Sequence, residues 1–140
     1  MPLVGGGGAG NTAGSNPSGT GSSLNYIGNW VSGYSGRVSI NDSETALMDF
    51  TTGSELIVAN VQFFYAVDAS SAQNFAYTIK INGEIISKYI VNGSSTYTSA
   101  NNPILLVLSP FSHVQLLAQN VEDSSSLEQA VTFTGEIQDA

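Results

Sequence analysis

A chain of 140 residues has the size of one domain and can bury a core unaided, and its lack of cysteine excludes disulfides, thiolate metal sites and thiol catalysis. Three basic residues, Arg37, Lys80 and Lys88, stand against eleven acidic ones for a net charge of −8, which repels nucleic acid and anionic membrane surfaces alike. Charged residues make up only 10% of the chain against roughly 25% in ordinary soluble domains, so hydroxyls and amides carry its polarity and large areas can be buried against partner chains with little desolvation.

In chain order, Met1 to Ser23 holds eight of the fifteen glycines among Ser, Asn, Thr and Pro, with no charged side chain. That is the composition of a flexible coil, and it divides the chain into an arm over residues 1–23 and a folded domain over 24–140. About twenty such residues span roughly 25 Å as a coil and about 70 Å when stretched, enough for a tether. The only apolar cluster of the arm is its tip, Pro2-Leu3-Val4, which makes Leu3 and Val4 candidate partner contacts. The start lacks the basic and apolar regions of a secretory signal, and no apolar run reaches the roughly 18 residues of a membrane span. Synthesis in a cytosol is therefore expected, and the sequons at Asn41 and Asn92 read as chance.

Leu24 to Val31, LNYIGNWV, is the first aromatic and aliphatic cluster, a first strand or clamp, and Ser32 to Gly36 reads as a loop. Trp30 is the only tryptophan. With Tyr26 and Tyr34 it admits three readings: core packing, which is preferred, an anchor at a subunit or partner interface, and a sugar-stacking platform. Trp30 and Tyr34 join Leu3 and Val4 as candidate partner contacts. Apolar runs then follow at Val38 to Ile40, Thr45 to Thr51 and Leu56 to Val67, separated by Asn41-Asp42-Ser43 and Thr52-Gly53-Ser54. In the longest of them Ile57, Ala59, Val61, Phe63 and Tyr65 form a dry face, with Leu56, Val58, Asn60, Gln62 and Phe64 on the other side.

Asn74 to Val91 carries the least ambiguous signal. Asn82-Gly83 suits a type I′ turn, whose two central residues need positive φ, so a tight hairpin is predicted. Counting back from Ile81 opposite Glu84 pairs Ile79 with Ile86, Tyr77 with Lys88 and Phe75 with Ile90. Asn92 to Asn102 reads as a polar surface loop. Ile104 to Leu108, bounded by Pro103 and Pro110, is a continuous apolar run of the kind expected of a strand buried on both faces. Ser112 to Val121 alternates as a half-buried strand, and Val131, Phe133 and Ile137 close the sheet. Glu122 to Ala130 has a weak capping box, Ser125 with Glu128, and reads as a loop. Eight or so strands with almost no helix predict an all-β, antiparallel two-sheet β-sandwich, jelly-roll-like, with a flexible glycine-rich N-terminal arm.

No motif converges on a reaction. Gly5, Gly7 and Gly10 match a nucleotide fingerprint formally, but a phosphate cradle needs a strand before it and a helix after it. His113, the only histidine, has no G-x-S-x-G elbow to serve and reads as a strand histidine. Asp49, Glu55, Glu84 and Glu136 look like solvated carboxylates rather than a glycosidase pair, and Asp42, Glu44 and Asp49 lack the spacing of a calcium loop. No catalytic residue, cofactor or metal ligand is assigned, and the chain is expected not to be an enzyme.

The segments ALMDFTTGSELIVANVQFFY, KINGEII, PILLVLSPFSHVQLLAQN and VTFTGEI, over roughly Arg37 to Ile137, resemble small jelly-roll virion proteins, notably the capsid decoration or cement proteins of tailed phages. The glycine-rich start is similar to the arms by which such proteins reach a capsid neighbour. The resemblance implies a homotrimer or other small oligomer, made in the host cytoplasm and attached to a major capsid protein on the outer surface of the virion. The alternative on the same sandwich is a carbohydrate- or receptor-binding module using Trp30, Tyr34, Tyr89 and Tyr97.

Overall fold

The computed structural model describes residues 24–66, 73–93, 98–99, 103–122 and 127–138. Leu3, Val4, Tyr97 and Ser125 lie outside them. Among the described residues are eleven strands: β1 (Asn25–Ile27), β2 (Trp30–Tyr34), β3 (Val38–Ile40), β4 (Thr45–Thr51), β5 (Leu56–Ala66), β6 (Gln73–Ile81), β7 (Glu84–Gly93), β8 (Thr98–Ser99), β9 (Ile104–Leu108), β10 (His113–Asn120) and β11 (Leu127–Gln138). Four antiparallel pairings are nested one inside the next: β2 with β11, β4 with β10, β5 with β9, and β6 with β7. A chain doubled back around its central hairpin and rolled into two sheets has jelly-roll connectivity, as the sequence predicts. The first sheet runs β1-β2-β11-β5, with β8 and β9 both on the far side of β5 and β3 beside β11; the second runs β4-β10-β6-β7.

Period-two alternation decides which side chains meet between the sheets. From β5 the predicted set Ile57, Ala59, Val61, Phe63 and Tyr65 is buried, opposite Ile137, Gly135, Phe133, Val131 and Gln129 of β11. The second sheet answers with Phe50, Val114, Leu116, Phe75, Tyr77 and Ile79. Phe50 packs edge-on against Phe133 with ring centroids 5.1 Å apart, and Phe63 lies 4.9 Å from Tyr77. Thus β11 covers β4 while β5 covers β6, and the edge strands β7 and β9 fall on the same flank. Burial raises the pKa of Tyr77, which donates a 2.5 Å hydrogen bond to Gln129 Oε1 at the centre of this core.

Several expectations need correction. Ser32 to Gly36, read as a loop, supplies the second half of β2 through Tyr34, and Asn92 to Asn102, also read as a loop, holds the end of β7 and the short strand β8. The hairpin turns at Asn82 and Gly83, with φ of 53° and 85°, but Ile79 pairs with Ser87 because Ile86 is an extra bulged residue. Past the bulge Tyr77 faces Tyr89 and Phe75 faces Val91, and both Ile85 and Ile86 are exposed. β9 is not buried on both faces: it is an edge strand, with Leu106 and Leu108 inward and Leu105 and Val107 in solvent. Finally β11 begins at Leu127, inside the stretch read as a loop, where Leu127 to Gln129 pair with β3.

Candidate interaction surface

The outer face of the first sheet follows from its register. One row across it is Trp30, Glu136, Val58 and Val107; the next is Ser32, Thr134, Asn60 and Leu105. Trp30 is 64% exposed, which overturns the preferred core reading. Its neighbour Val31 takes the inward place, and Gly33, the next inward position, leaves room for Met48, whose Cε would lie 2.3 Å from a Cβ there. Tyr34 falls on the same face as Trp30 and is 37% exposed. Ile27, opposite Trp30 at the β1–β2 turn, extends the apolar surface with a further exposed side chain.

Between these strands lies an open depression of about 210 Å³ lined by Trp30, Val58, Asn60, Thr134, Gly135, Glu136 and Gln138. Pockets for small molecules usually hold roughly 300–1,000 Å³, so this one fits a side chain or two of a partner, or one sugar ring, rather than a large ligand. Its wall is apolar at Trp30 and Val58, and its floor offers amide and hydroxyl groups with a single carboxylate, Glu136.

The outer face of the second sheet is arranged differently. Asp49, on β4, accepts at Oδ1 from His113 Nε2 at 2.6 Å and at Oδ2 from Gln115 Nε2 at 3.2 Å, both on the paired strand β10. Lys80 Nζ lies 3.9 Å from Glu44, and Gln119 donates to the carbonyl of Asp42. Among the described residues no group of three or more His, Cys, Asp or Glu side chains could hold a metal ion. Asp42, Glu44 and Asp49 therefore do not gather as a calcium site.

One turn presents an aromatic ring that the sequence reading passed over. Phe111, between β9 and β10, is exposed and has φ of 60°, a left-handed conformation uncommon for a bulky residue. The turn is held from both sides. Phe111 N donates to the carbonyl of Gly53, Ser112 N donates to Thr52 Oγ1 at 2.8 Å, and Thr52 Oγ1 and Ser112 Oγ both donate to the carbonyl of Ser109. The signal available in sequence was Pro110 beside an aromatic residue in a turn. Tyr89, a candidate sugar contact, instead turns inward against Tyr77 and Phe63, and burial raises its pKa. Of the candidate contacts within the described residues, Trp30 and Tyr34 therefore share a surface and Tyr89 does not.

No protein-family model and no curated protein matches the chain. Similar solved structures exist, and two of them belong to infectious bursal disease virus. VP2 in its subviral particle is 12% identical with a TM-score of 0.54, over 78% of this chain and 32% of VP2. A chain of the viral particle of the same virus is 11% identical with a TM-score of 0.51, over 82% of this chain and 33% of the other. A β-glucosidase from Paenibacillus barengoltzii aligns with a TM-score of only 0.38 at 15% identity, over 86% of this chain and 11% of the enzyme. The chain thus spans about a third of the length of the viral proteins it resembles. The likeness is one of fold: a β-sandwich also found in a viral capsid protein.

Proposed function

We propose that this chain is a viral structural protein, a decoration or cement protein that sits as a homotrimer on the outside of a tailed-phage head and reinforces the shell. The observation that carries the reading is the uncovered apolar outer face of the first sheet, from Trp30 through Val58 to Leu105 and Val107, on a sandwich that shares its fold with a capsid protein. Large exposed apolar side chains grouped on one face are the usual mark of a protein-binding surface. The low charge of the chain suits burial there, its partners being further copies of itself and the major capsid protein. The reading is non-enzymatic and places the chain at the virion surface after synthesis in the host cytoplasm.

A second reading, a carbohydrate- or receptor-binding module, is favoured by one observation: Trp30 stands beside Asn60, Thr134, Glu136 and Gln138, an aromatic wall with polar groups suited to a sugar. Light scattering on the full chain over a hundredfold range of concentration separates the two. The decoration reading expects a concentration-independent trimer that raises the heat resistance of purified shells to which it is added. A monomer that binds a glycan array and leaves shell stability unchanged would overturn it.

A further inference from the structure

We infer that the exposed side of β7 is a two-fold contact with a second copy of this chain, in which Ile86 meets Ile86 and Glu84 of each copy faces Lys88 of the other. The inference goes beyond the proposed function and leaves the first-sheet face free.

Among the described residues β7 pairs with β6 alone, as an edge strand of the second sheet. The bulge adds one residue to β7 and breaks its alternation, so Ile85 and Ile86 are both turned to solvent, 56% and 54% exposed. Past the bulge Ser87, Tyr89 and Val91 lie opposite the buried Ile79, Tyr77 and Phe75. Lys88 and Ile90 therefore stand on the outer side, and Ile90 is 62% exposed. Three exposed isoleucines on one strand make an apolar patch apart from the one around Trp30.

Charge selects what covers it. Arg37 pairs with Glu128 and Lys80 lies 3.9 Å from Glu44, which leaves Lys88 as the one basic side chain with no acidic partner among the described residues. Glu84 has no ion-pair partner there either. The two stand four residues apart on one strand, about 13 Å, too far to meet within a copy. Both lie two positions from Ile86, so an antiparallel two-fold with its axis at Ile86 brings each Glu84 to the other copy's Lys88. The patch is thus complementary to itself. A net charge of −8 sets copies against one another, and two ion pairs oppose that repulsion at the point of contact.

The contact is made by side chains rather than a continued ladder, because the bulge denies a neighbour a regular edge. Three isoleucines a side fall short of the roughly 800 Å² per partner of a standard interface, so the affinity in free solution is in the millimolar range. The contact fills where units are already held close together, whether each unit is a monomer or a trimer.

The chain has no cysteine, so single-cysteine variants of the full chain read the geometry directly. At millimolar concentration under mild oxidation, Ile86→Cys should form disulfide-linked dimers at least about tenfold faster than Ile90→Cys. Position 90 is as exposed, but across the axis it lies eight residues, about 27 Å, from its own copy, beyond the reach of a disulfide. Equal rates, or no dimer from Ile86→Cys, overturn the inference. Independently, sedimentation equilibrium of the unaltered chain should show an average mass that rises through the millimolar range. Lys88→Glu and Glu84→Lys should each abolish that rise, and an equimolar mixture of the two should restore it, since each facing pair then carries opposite charges. Both variants keep a net negative charge, so overall attraction does not account for the restoration. A mass that does not rise in the unaltered chain, or a mixture no heavier than its components, overturns the contact.

Discussion

The two outer faces of the sandwich rest on the same core and differ in how far they are finished. Over β4, β10 and β6 of the second sheet the polar side chains answer one another: Asp49 is held by His113 and Gln115, Lys80 approaches Glu44, and Leu117, Thr78 and Ala76 are covered, whereas its edge strand β7 leaves Ile85, Ile86 and Ile90 exposed. Both of its edge strands carry bulges, at Leu47 in β4 and at Ile86 in β7, and irregular edges resist pairing with another sheet. On the first sheet the ladder from β11 to β5 runs through eleven successive residue pairs without a break, and its outer face leaves Trp30, Leu105 and Val107 in water. Hydrogen-bonded polar groups mark the β4–β10 part of the second face as complete in the monomer. Grouped apolar groups on a regular sheet mark one that is completed by something else.

The contrast can be broken from below. Phe63 is buried between the sheets against Tyr77 and Tyr89, so Phe63→Ala should cost about 3–5 kcal/mol and loosen both faces together, measured by urea denaturation. A loss under about 1 kcal/mol would mean that the sheets are not packed as described. Changes on the surface should separate the faces. Trp30→Ser should move stability by less than about 0.5 kcal/mol yet weaken attachment to a partner or second copy by at least about 2 kcal/mol, roughly thirtyfold in Kd. An unchanged Kd would remove Trp30 from the interface. Gly135→Ala tests the core side directly beneath that face, since a Cβ there would stand 2.9 Å from Ala59 Cβ, Ile57 Cγ2 and the carbonyl of Val58. A backbone carbonyl gives way poorly, so a destabilisation of about 1–3 kcal/mol is expected by thermal or chemical unfolding.

The turn at Phe111 offers a smaller effect of opposite sign. A left-handed backbone at a bulky residue costs of order 1 kcal/mol, so Phe111→Gly should raise stability by about that much, less the entropy that glycine adds to the unfolded chain. If the ring is an anchor, the more stable variant binds less well, the usual trade of stability for function. A variant that is more stable and attaches equally would assign the turn to folding alone.

Alternation was the legible part of the sequence. Ile57 to Tyr65 and Val131 to Ile137 alternate cleanly, and those elements are buried where their pattern puts them. Neighbouring apolar residues hid the rest. At Trp30-Val31 either residue could face inward, and the parity is settled by the tertiary need for space over Met48 that Gly33 provides. At Ile85-Ile86 a bulge leaves no trace in composition, since both residues are isoleucine. In Leu105 to Leu108 an unbroken apolar run reads the same at an edge as at a centre, and only the pairing shows that β9 has one neighbour among the described residues. Asp49 and His113 stand 64 residues apart in sequence and meet through the β4–β10 register, beyond the range of any local motif.

That last pair gives the finest test of whether the second face is finished. Its side chains are 39% exposed at Asp49 and 44% at His113, so the 2.6 Å contact sits in partly wet surroundings where ion pairs and charge-assisted hydrogen bonds contribute about 0.2–1 kcal/mol. A double-mutant cycle with Asp49→Asn and His113→Gln should return a coupling energy within that range. The coupling should shrink in about 1 M salt, where the screening length falls to roughly 3 Å. Neither single variant should change attachment to a partner, because the β4–β10 part of the face is already satisfied by its own side chains. If either variant weakened attachment as strongly as Trp30→Ser, the β4–β10 part would also be an interface, and its reading as complete in the monomer would be wrong.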